Sequence, residues 1–443
     1  MASNNSQAML DKFAEVSAKV GNQVHLRSLR DAFATITPLY ILAGVAVLIN
    51  NVIFPLFFKA GSPELANCQT WGATLAQGTL SISAFILAGL LGYALANNKN
   101  FDNPLASLVV GVSAFVIMMP LQVTAQLVSD PKKHELVAGM LATANTGTNG
   151  LFGAIVVSLI ACTIFIKISQ VKQLKVNLGD NVPPAVGNSF NVMIPMLLTL
   201  AICGLASAIL AAGAHTNLLA LISTFVAMPL KSIMNAGPWA VIIIYTCANL
   251  LFCLGIHQST ISGVTIEPIL TMLIVDNMAT FAAGQAIPSD HYMNMQIINS
   301  FALMGGSGCT FMLLLDTFLF SKNKSSKTVG KMAILPGLFN INEPVIYGYP
   351  IVYNLPLMIP FVLIPDLFIG ATYGLTCAGL ISPCVAQVPW TTPPVISAFF
   401  ATGLDWRAAV WQVVEIILGM AIYYPFMRIS EKASAKQVEM LNK

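Results

Sequence analysis

An acidic residue stands between two strongly apolar stretches of this sequence, in a segment that cannot form one continuous helix. The acid is Glu343, and the segment 335–348 around it contains two prolines and two glycines. An ionisable group at membrane depth is costly and is therefore usually functional. Non-helical backbone at that depth is tolerated only where protein buries it or where it lines a water-filled cavity. The segment predicts a polar substrate site in a transporter, and a structural acid that caps broken helix ends is the alternative.

A polar turn follows directly on an apolar run at Leu254–Thr260. Its histidine, His257, has a neutral ring that both donates and accepts hydrogen bonds, which suits a sugar hydroxyl. The same ring also suits a structural role at a helix end, and the sequence leaves both interpretations open. Gln258 follows and adds a second polar side chain to the turn.

Two further motifs lie in the second half of the chain. Asn299 begins a run that contains Gly305 and Gly306, which permit close backbone approach and expose peptide groups. Helix–helix packing through small residues is the alternative for these glycines.

Trp390 and Thr391 belong to a proline-rich stretch that forms an apolar platform edged with hydroxyls. We predict that the indole stacks on the nonpolar face of a sugar ring, and a tryptophan of the membrane interface is the alternative.

The composition indicates which elements must hold these residues. Of the 443 residues, 56% are hydrophobic and 9% are charged, whereas soluble domains contain roughly a quarter charged residues. The mean hydropathy is +0.77. Long apolar runs approach the roughly 20 residues that cross a ~30 Å hydrocarbon core. They are Ile36–Phe58, Leu75–Ala96, Pro104–Leu127, Leu151–Ile168, Val192–Ala214, Ala240–Ile256, Gln296–Phe320, Pro350–Leu375 and Ala408–Met427. We predict an all-α polytopic membrane protein with about ten transmembrane helices.

The basic residues predict an orientation, because cytoplasmic loops carry an excess of lysine and arginine. They gather in the N-terminal segment up to Arg30, from Lys167 to Lys175, from Lys322 to Lys331, and in the tail from Arg428. Both termini are therefore predicted to be cytoplasmic, although Lys132 and Lys133 then face outward. The net charge of +3 follows from this distribution and does not indicate nucleic-acid binding.

The chain is predicted to divide into four parts. They are a cytoplasmic segment at 1–30, a regular helical part at 31–230, a part at 231–428 interrupted by proline, glycine and polar residues, and a cytoplasmic tail at 429–443. The chemistry concentrates in the third part. That part also contains Glu267, for which the sequence indicates no role, and Asp276, Asp316 and Asp366, which are predicted to lie at helix ends.

The sequence contains no motif for a cofactor or a metal. The eight cysteines are scattered through apolar segments without the CxxC pairs of zinc or redox sites, and a role as small buried hydrophobic residues is expected. No GxxxxGK[ST] sequence is present, so the chain does not resemble an ATP-hydrolysing pump.

Four stretches together resemble one family, the EIIC membrane component of the lactose/cellobiose/diacetylchitobiose branch of the bacterial phosphotransferase system. They are Asn-Ile-Asn-Glu-Pro-Val-Ile-Tyr-Gly from 340, Gly-Ile-His from 255, Met-Gly-Gly-Ser-Gly from 304 and Pro-Trp-Thr-Thr-Pro-Pro from 389. The resemblance covers nearly the whole chain, and Asn-Glu-Pro is its most specific element. Many relatives have a glycine after the histidine, whereas this chain has Gln258, which leaves the identity of the sugar open.

The resemblance implies a homodimeric permease of the bacterial cytoplasmic membrane. Its first helices would form the dimer interface, and its later helices, with two re-entrant hairpins, would bind a sugar and carry it across by an elevator-like movement. A separate EIIB protein, with EIIA upstream, would donate phosphate from a cysteinyl phosphate. Because only a short tail follows Met427, no EIIB domain is expected within the chain, which would not be catalytic without phosphorylated EIIB.

The resemblance also implies roles for single residues. Glu343 and His257 would meet the sugar hydroxyl that receives phosphate, and Glu343 is the candidate base, since accepting a proton in the transition state is worth roughly 10²–10⁴-fold. The rest of the predicted sugar site consists of Gln258, Asn299, Gly305, Gly306, Asn342, Trp390 and Thr391. The expected substrate is a β-linked disaccharide of the cellobiose or diacetylchitobiose type. The alternative is a proton-coupled secondary sugar transporter, in which Glu343 would bind and release the coupled proton.

Overall fold

The computed structural model describes residues 23–59, 61–126, 134–174, 176, 190–227, 229, 237–254, 258, 261–349, 351 and 354–441. His257, one of the two predicted catalytic residues, lies outside them. So does most of the predicted N-terminal segment 1–30.

Most of the described residues are helical. The α-helices are α1 Val24–Leu48, α2 Phe54–Phe57, α3 Pro63–Thr79, α4 Ser83–Asn98, α5 Pro104–Ile117, α6 Thr143–Thr146, α7 Leu151–Ser169, α8 Met193–Ala214, α9 Leu218–Ile222, α10 Trp239–Cys253, α11 Ser262–Thr265, α12 Glu267–Ala282, α13 Met295–Phe301, α14 Phe311–Phe320, α15 Lys324–Leu338, α16 Glu343–Gly348, α17 Leu355–Cys377, α18 Ile396–Ala401 and α19 Trp406–Leu441. Two short strands, β1 Gln122–Gln126 and β2 His134–Ala138, pair antiparallel with Gln122 opposite Ala138. The fold is mostly helical, as predicted, apart from this hairpin.

Six helical stretches in the described part of the chain are long and apolar enough to cross a membrane. They are Val24–Phe57, Pro63–Asn98, Thr148–Ser169, Met193–Ala214, Leu355–Cys377 and Trp406–Lys432. Shorter apolar helices occupy Pro104–Ile117, Trp239–Cys253 and Ser307–Phe320. These helices make the chain a multi-pass membrane protein, and the total of about ten spans stays a prediction.

Two apolar runs that were predicted as continuous spans are interrupted. The first run, Pro104–Leu127, ends its helix at Ile117, because Pro120 follows closely and the residue before a proline disfavours the helical conformation. The second run, Gln296–Phe320, is broken between α13 and α14 by glycines with φ of +73° to +89°. Only glycine adopts such angles readily, so this run forms two helices around a loop.

The chain forms two compact units. One contains residues 41–73 and 233–443, and the other contains residues 23–40 and 74–232. In the second unit, α4, α5 and α7 pack through small residues, since a Cβ on Gly111 would lie 2.5 Å from the carbonyl oxygen of Ala88. Close backbone approach of this kind is typical of membrane helices. The predicted roles of segments 31–230 and 231–428 stay predictions.

The core of the first unit supports α16 and the glycines that follow α13. Buried apolar side chains of α10, α14, α16, α17 and α19 form one cluster. Within it the rings of Phe252 and Phe361 meet edge to face, with centroids 5.8 Å apart. Val345 and Ile346 anchor α16 in this cluster. The backbone around the Asn-Glu-Pro motif therefore rests on a packed core.

The start of α19 is fixed by Asp405. Its carboxylate accepts hydrogen bonds from the backbone N–H of Ser382 at 2.8 Å and from the guanidinium of Arg407 at 2.9 Å. Partial burial raises the pKa of Asp405, but the hydrogen bonds from Arg407 and Ser382 outweigh it and lower the pKa to about 2. Asp405 is thus ionised at neutral pH and holds the helix that brings Gln412 into the first unit.

Candidate functional site

The side chain of Asn340 joins three segments that are far apart in the sequence. Its Nδ2 donates to the carbonyl oxygens of Trp390 and Thr392, at 2.5 and 3.1 Å. Its Oδ1 accepts a hydrogen bond of 2.7 Å from the backbone N–H of Gly305. These bonds, called the Asn340 network below, connect the glycine loop (302–310), the Asn-Glu-Pro segment (340–348) and the platform segment (387–395). Asn340 is buried, and its φ of +64° is tolerated better by asparagine than by most residues.

A second asparagine ties the Asn-Glu-Pro segment to the glycine loop. Nδ2 of Asn342 donates to the carbonyl oxygen of Ser307 at 2.7 Å. The two backbones are so close that a Cβ on Gly306 would lie 2.5 Å from Cγ of Asn342 and 2.8 Å from the carbonyl oxygen of Asn340. Gly305 and Gly306 therefore lie in a tight loop and not on a packed helix face.

Glu343 begins α16 directly after Asn342. Pro344 occupies the first turn of this helix, where its missing N–H leaves no hydrogen bond unmade. The backbone of Glu343 is therefore held next to Asn342 and, through it, next to the glycine loop. The side chain of Glu343 lies outside what the structure describes, as His257 does.

Trp390 combines a fixed backbone with an exposed side chain. Its carbonyl oxygen belongs to the Asn340 network, and the N–H of Thr392 donates to the carbonyl oxygen of Pro389 at 2.9 Å. The residue is 48% exposed, and Thr391 beside it is half-buried. Stacking on a sugar ring requires a fixed, exposed aromatic face. Exposure also fits a tryptophan of the membrane interface, so both interpretations stay open.

A glutamine that the sequence analysis did not single out holds the platform segment from the other side. Oε1 of Gln412, on α19, accepts a hydrogen bond of 2.5 Å from the N–H of Val395. Its Nε2 donates to the carbonyl oxygen of Ser300 and to Oγ of Ser397. Val395 has a φ of +73°, which is strained for a β-branched residue. The position of Gln412 inside the apolar run Ala408–Met427 was the available signal in the sequence, because an amide there needs buried hydrogen-bond partners.

Asn299 and Gln258 are not joined to the Asn340 network by hydrogen bonds within the described part of the chain. Asn299 is half-buried on α13, and its neighbour Ser300 makes the bond to Gln412. Gln258 is buried, and its carbonyl oxygen accepts from the N–H of Ile261 at 3.1 Å. Their predicted contacts with a sugar stay predictions.

The three aspartates predicted at helix ends lie inside helices, so that prediction is wrong. Asp276, Asp316 and Asp366 belong to the interiors of α12, α14 and α17. Oγ1 of Thr246 donates a hydrogen bond of 2.6 Å to Asp366. Asp316 is fully buried, and within the described part of the chain neither of its carboxylate oxygens has a hydrogen-bond partner. Glu267, in contrast, begins α12 and accepts a 2.7 Å hydrogen bond from Oγ of Ser262.

A further acid inside a helix, Glu415, was missed in the sequence and is fully buried. It lies in α19, and its Oε1 accepts a 2.8 Å hydrogen bond from Oγ1 of Thr372 on α17. Nε1 of Trp411 donates to the same hydroxyl at 2.9 Å. The position of this polar side chain within the apolar run Ala408–Met427 was the available signal, as it was for Gln412.

The hydrogen-bonding side chains of the three segments are mostly neutral. Apart from Glu343, Tyr347, Trp390 and Cys309, they are amides and hydroxyls, namely Ser307, Thr310, Asn340, Asn342, Gln387, Thr391 and Thr392. Amides and hydroxyls match the donors and acceptors of an uncharged, hydroxyl-rich ligand. Glu343, at the start of α16, is the one acid in these three segments.

Comparison with known proteins gives consistent matches along the chain. The family model described as phosphotransferase system, EIIC matches residues 30–365. The lichenan permease IIC component of Bacillus subtilis is 30% identical, over 98% of this chain and 95% of its own length. The cellobiose-specific EIIC component of Lactococcus lactis is 29% identical, over 98% of this chain and 100% of its own length. The crystal structure of ChbC, the IIC component of the N,N'-diacetylchitobiose-specific phosphotransferase system, superposes with a TM-score of 0.86 at 29% identity and covers 96% of this chain and 97% of its own.

Proposed function

Because the chain belongs to the EIIC family of the phosphotransferase system, and is thus a sugar permease of that system, we propose that it imports a β-linked disaccharide that a separate EIIB protein phosphorylates. The observation that carries this proposal is the Asn340 network. It brings the Asn-Glu-Pro segment, the glycine loop and the tryptophan platform together in one unit. The resemblance implies that these same segments bind the sugar.

The proposed substrate is of the cellobiose or diacetylchitobiose type. Relatives across nearly the whole chain are a cellobiose-specific component, a lichenan permease and a diacetylchitobiose-specific transporter. The neutral amides and hydroxyls of the three segments and the exposed indole of Trp390 support an uncharged ring-shaped ligand. Both arguments favour a disaccharide over a charged metabolite.

The proposed chemistry is phosphoryl transfer to a primary hydroxyl of the sugar. The hydroxyl oxygen forms a bond to phosphorus, the bond between phosphorus and the cysteine sulfur of EIIB breaks, and sulfur leaves as a thiolate. Glu343 accepts the hydroxyl proton, and His257 orients the same hydroxyl or shares its proton. The backbone at Gly305 and Gly306 and the platform at Trp390 hold the sugar in position, because fixed geometry lowers the entropic part of the barrier.

The proposed assembly is a homodimer with about ten transmembrane helices, two re-entrant hairpins and cytoplasmic termini. Residues 31–230 would supply the scaffold and the dimer interface, and residues 231–428 would carry the sugar in an elevator-like movement. EIIB would act from the cytoplasm, with EIIA upstream. Some relatives, such as the lactose-specific EIICB component of Streptococcus mutans, are longer, since this chain covers 74% of that protein.

Uptake into membrane vesicles tests the proposal. Vesicles that contain the protein are expected to accumulate phosphorylated cellobiose or diacetylchitobiose only when phosphorylated EIIB is supplied inside. The measurement is radiolabelled uptake followed by separation of free sugar and phosphosugar, with protein-free vesicles as the control. Unmodified sugar that accumulates with a proton gradient and without EIIB would contradict the proposal and favour the proton-coupled transporter.

Replacement of Trp390 by alanine is expected to weaken sugar binding by roughly 1–3 kcal/mol, the scale of one large buried aromatic contact. Isothermal calorimetry with the purified protein measures the change. Trp406 is a suitable control because it is also exposed, at 67%, and lies outside the platform segment; Trp406→Ala is expected to bind sugar normally. Equal affinities for wild type and Trp390→Ala would assign Trp390 to the membrane interface.

A further inference from the structure

Helix α15 has one buried face and one basic face. Its buried face consists of Ser326, Val329, Gly330, Ala333 and Gly337. Gly330 lies against Thr317, and Gly337 lies against Leu314, as the positions of an added Cβ show. Later residues of α15 thus meet earlier residues of α14, so the two helices run antiparallel and side by side.

The opposite face of α15 carries lysines. Lys324, Lys327 and Lys331 on α15 and Lys322 just before it are all exposed; these four residues are called the lysine face. Lys324, Lys327 and Lys331 are spaced by three and four residues, which places them on one side of the helix. Within the described part of the chain no ion pair neutralises any of the four. Their positive charge is therefore available to a partner.

The position of the lysines is unfavourable for the helix itself. Cations near a helix N-terminus oppose the helix dipole, and the first turn of α15 contains no acid. Asn323 caps the helix instead, since its Oδ1 accepts from the N–H of Ser325 at 2.8 Å. The lysines therefore do not stabilise the first turn of α15, which Asn323 caps.

The loop before α15 is held rigidly. Oγ of Ser321 donates to the carboxylate of Glu431 on α19 and accepts from the N–H of Asn323 at 3.1 Å. Arg428 pairs with the same carboxylate at 3.5 Å. The carboxylate of Glu431 is thus already engaged by Ser321 and Arg428.

The lysine face extends along the helix. Lys324 and Lys331 are seven residues apart, which is about 10 Å along a helix axis, and Lys327 lies between them. A partner surface with several acidic groups can therefore contact more than one of these lysines at a time.

The lysine face also lies on the path to the candidate site. After Lys331 the exposed side of α15 becomes apolar, with Met332 and Leu335. The helix ends at Leu338, about 10 Å beyond Lys331, and Asn340 follows two residues later. A partner held by the lysines is therefore close to the segments that Asn340 connects.

We propose that the lysine face docks an acidic surface of the phosphoryl-donor protein. This inference rests on the proposed function, because it assumes that EIIB approaches the end of the protein that carries Lys324. Complementary charge would speed the encounter and orient the donor toward the Asn-Glu-Pro segment.

The test measures binding of a purified cellobiose-type EIIB to the protein in phosphatidylcholine nanodiscs by interferometry. The double variant Lys327→Gln/Lys331→Gln is expected to raise the dissociation constant about tenfold, and the difference is expected to shrink at high ionic strength. The matched control is Lys167→Gln/Lys172→Gln, which removes two exposed lysines of the other unit and is expected to bind EIIB normally.

An unchanged dissociation constant in the Lys327→Gln/Lys331→Gln variant would overturn the proposal. A difference that appears only after phosphatidylglycerol is added would also overturn it and assign the lysines to lipid headgroups. Phosphosugar formation, measured in parallel, separates the two proposals. Phosphosugar with lysine-independent binding rejects only the docking surface, whereas lysine-dependent binding without phosphosugar rejects only the proposed phosphoryl transfer.

Discussion

Replacement of Glu343 by glutamine is expected to lower the rate of sugar phosphorylation by roughly 10²–10⁴-fold, the range attributed to general-base catalysis. Glutamine retains the size and the hydrogen-bonding capacity of the side chain but does not accept the hydroxyl proton. Folding and sugar affinity are therefore expected to change little. The measurement is phosphosugar formation at saturating phosphorylated EIIB, together with calorimetric sugar binding.

The chain offers a matched control for this substitution. Glu267 also begins a helix and also precedes a proline, Pro268, in the same compact unit as Glu343. Glu267→Gln is expected to retain phosphorylation, because the hydrogen bond from Ser262 gives Glu267 a local structural role. Wild-type rates in Glu343→Gln would reject Glu343 as the base.

Removal of the Asn340 side chain is expected to separate the three segments and to weaken sugar binding by at least about tenfold. The substitution leaves the N–H of Gly305 and the carbonyl oxygens of Trp390 and Thr392 without this partner. A buried polar group left unsatisfied costs about 1–3 kcal/mol. A lower thermal transition is expected as well, because the network also stabilises the fold.

Substitution of Asn340 by glycine and by alanine separates the loss of its hydrogen bonds from the cost of its left-handed backbone conformation. Glycine adopts the φ of +64° without strain, so Asn340→Gly measures the loss of the hydrogen bonds alone. Asn340→Ala adds a left-handed backbone cost of about 1–2 kcal/mol. Asn354→Ala is the control, since its Nδ2 donates outside the network, to Oγ of Ser430. Normal sugar affinity in Asn340→Gly would show that the network does not position the substrate site.

The sequence predicted the membrane class and the cooperating motifs, but not the geometry that unites them. Apolar runs and the acid at Glu343 are local signals, because the cost of burying charge depends on the residue and its immediate surroundings. The contact between Asn340 and the platform segment spans 50 positions, and no spacing rule reports such a contact. For the same reason the contact between Gln412 and Val395 could not be predicted from the sequence.

The interrupted run at Gln296–Phe320 shows a second limit. Hydrophobicity alone extends a span across the glycines, whereas the backbone turns at Gly305, Gly306 and Gly308. The acids inside helices show a third limit, since Asp316, Asp366 and Glu415 lie in helix interiors. Hydropathy patterns indicate where an acid is costly, but the residues that accommodate it come from other helices, as Thr246 does for Asp366.

Hydrogen bonds from two sides restrict the movement of the platform segment. Asn340 is hydrogen-bonded to the platform segment at Trp390 and Thr392, and Gln412 is hydrogen-bonded to it at Val395. A hinge within this segment would have to break bonds on both sides at once. The glycine loop, the Asn-Glu-Pro segment and the platform would then travel as one rigid body in any step that relocates the sugar. Substitutions at Asn340 and Gln412 should accordingly be non-additive, with the second costing less once the first has loosened the body.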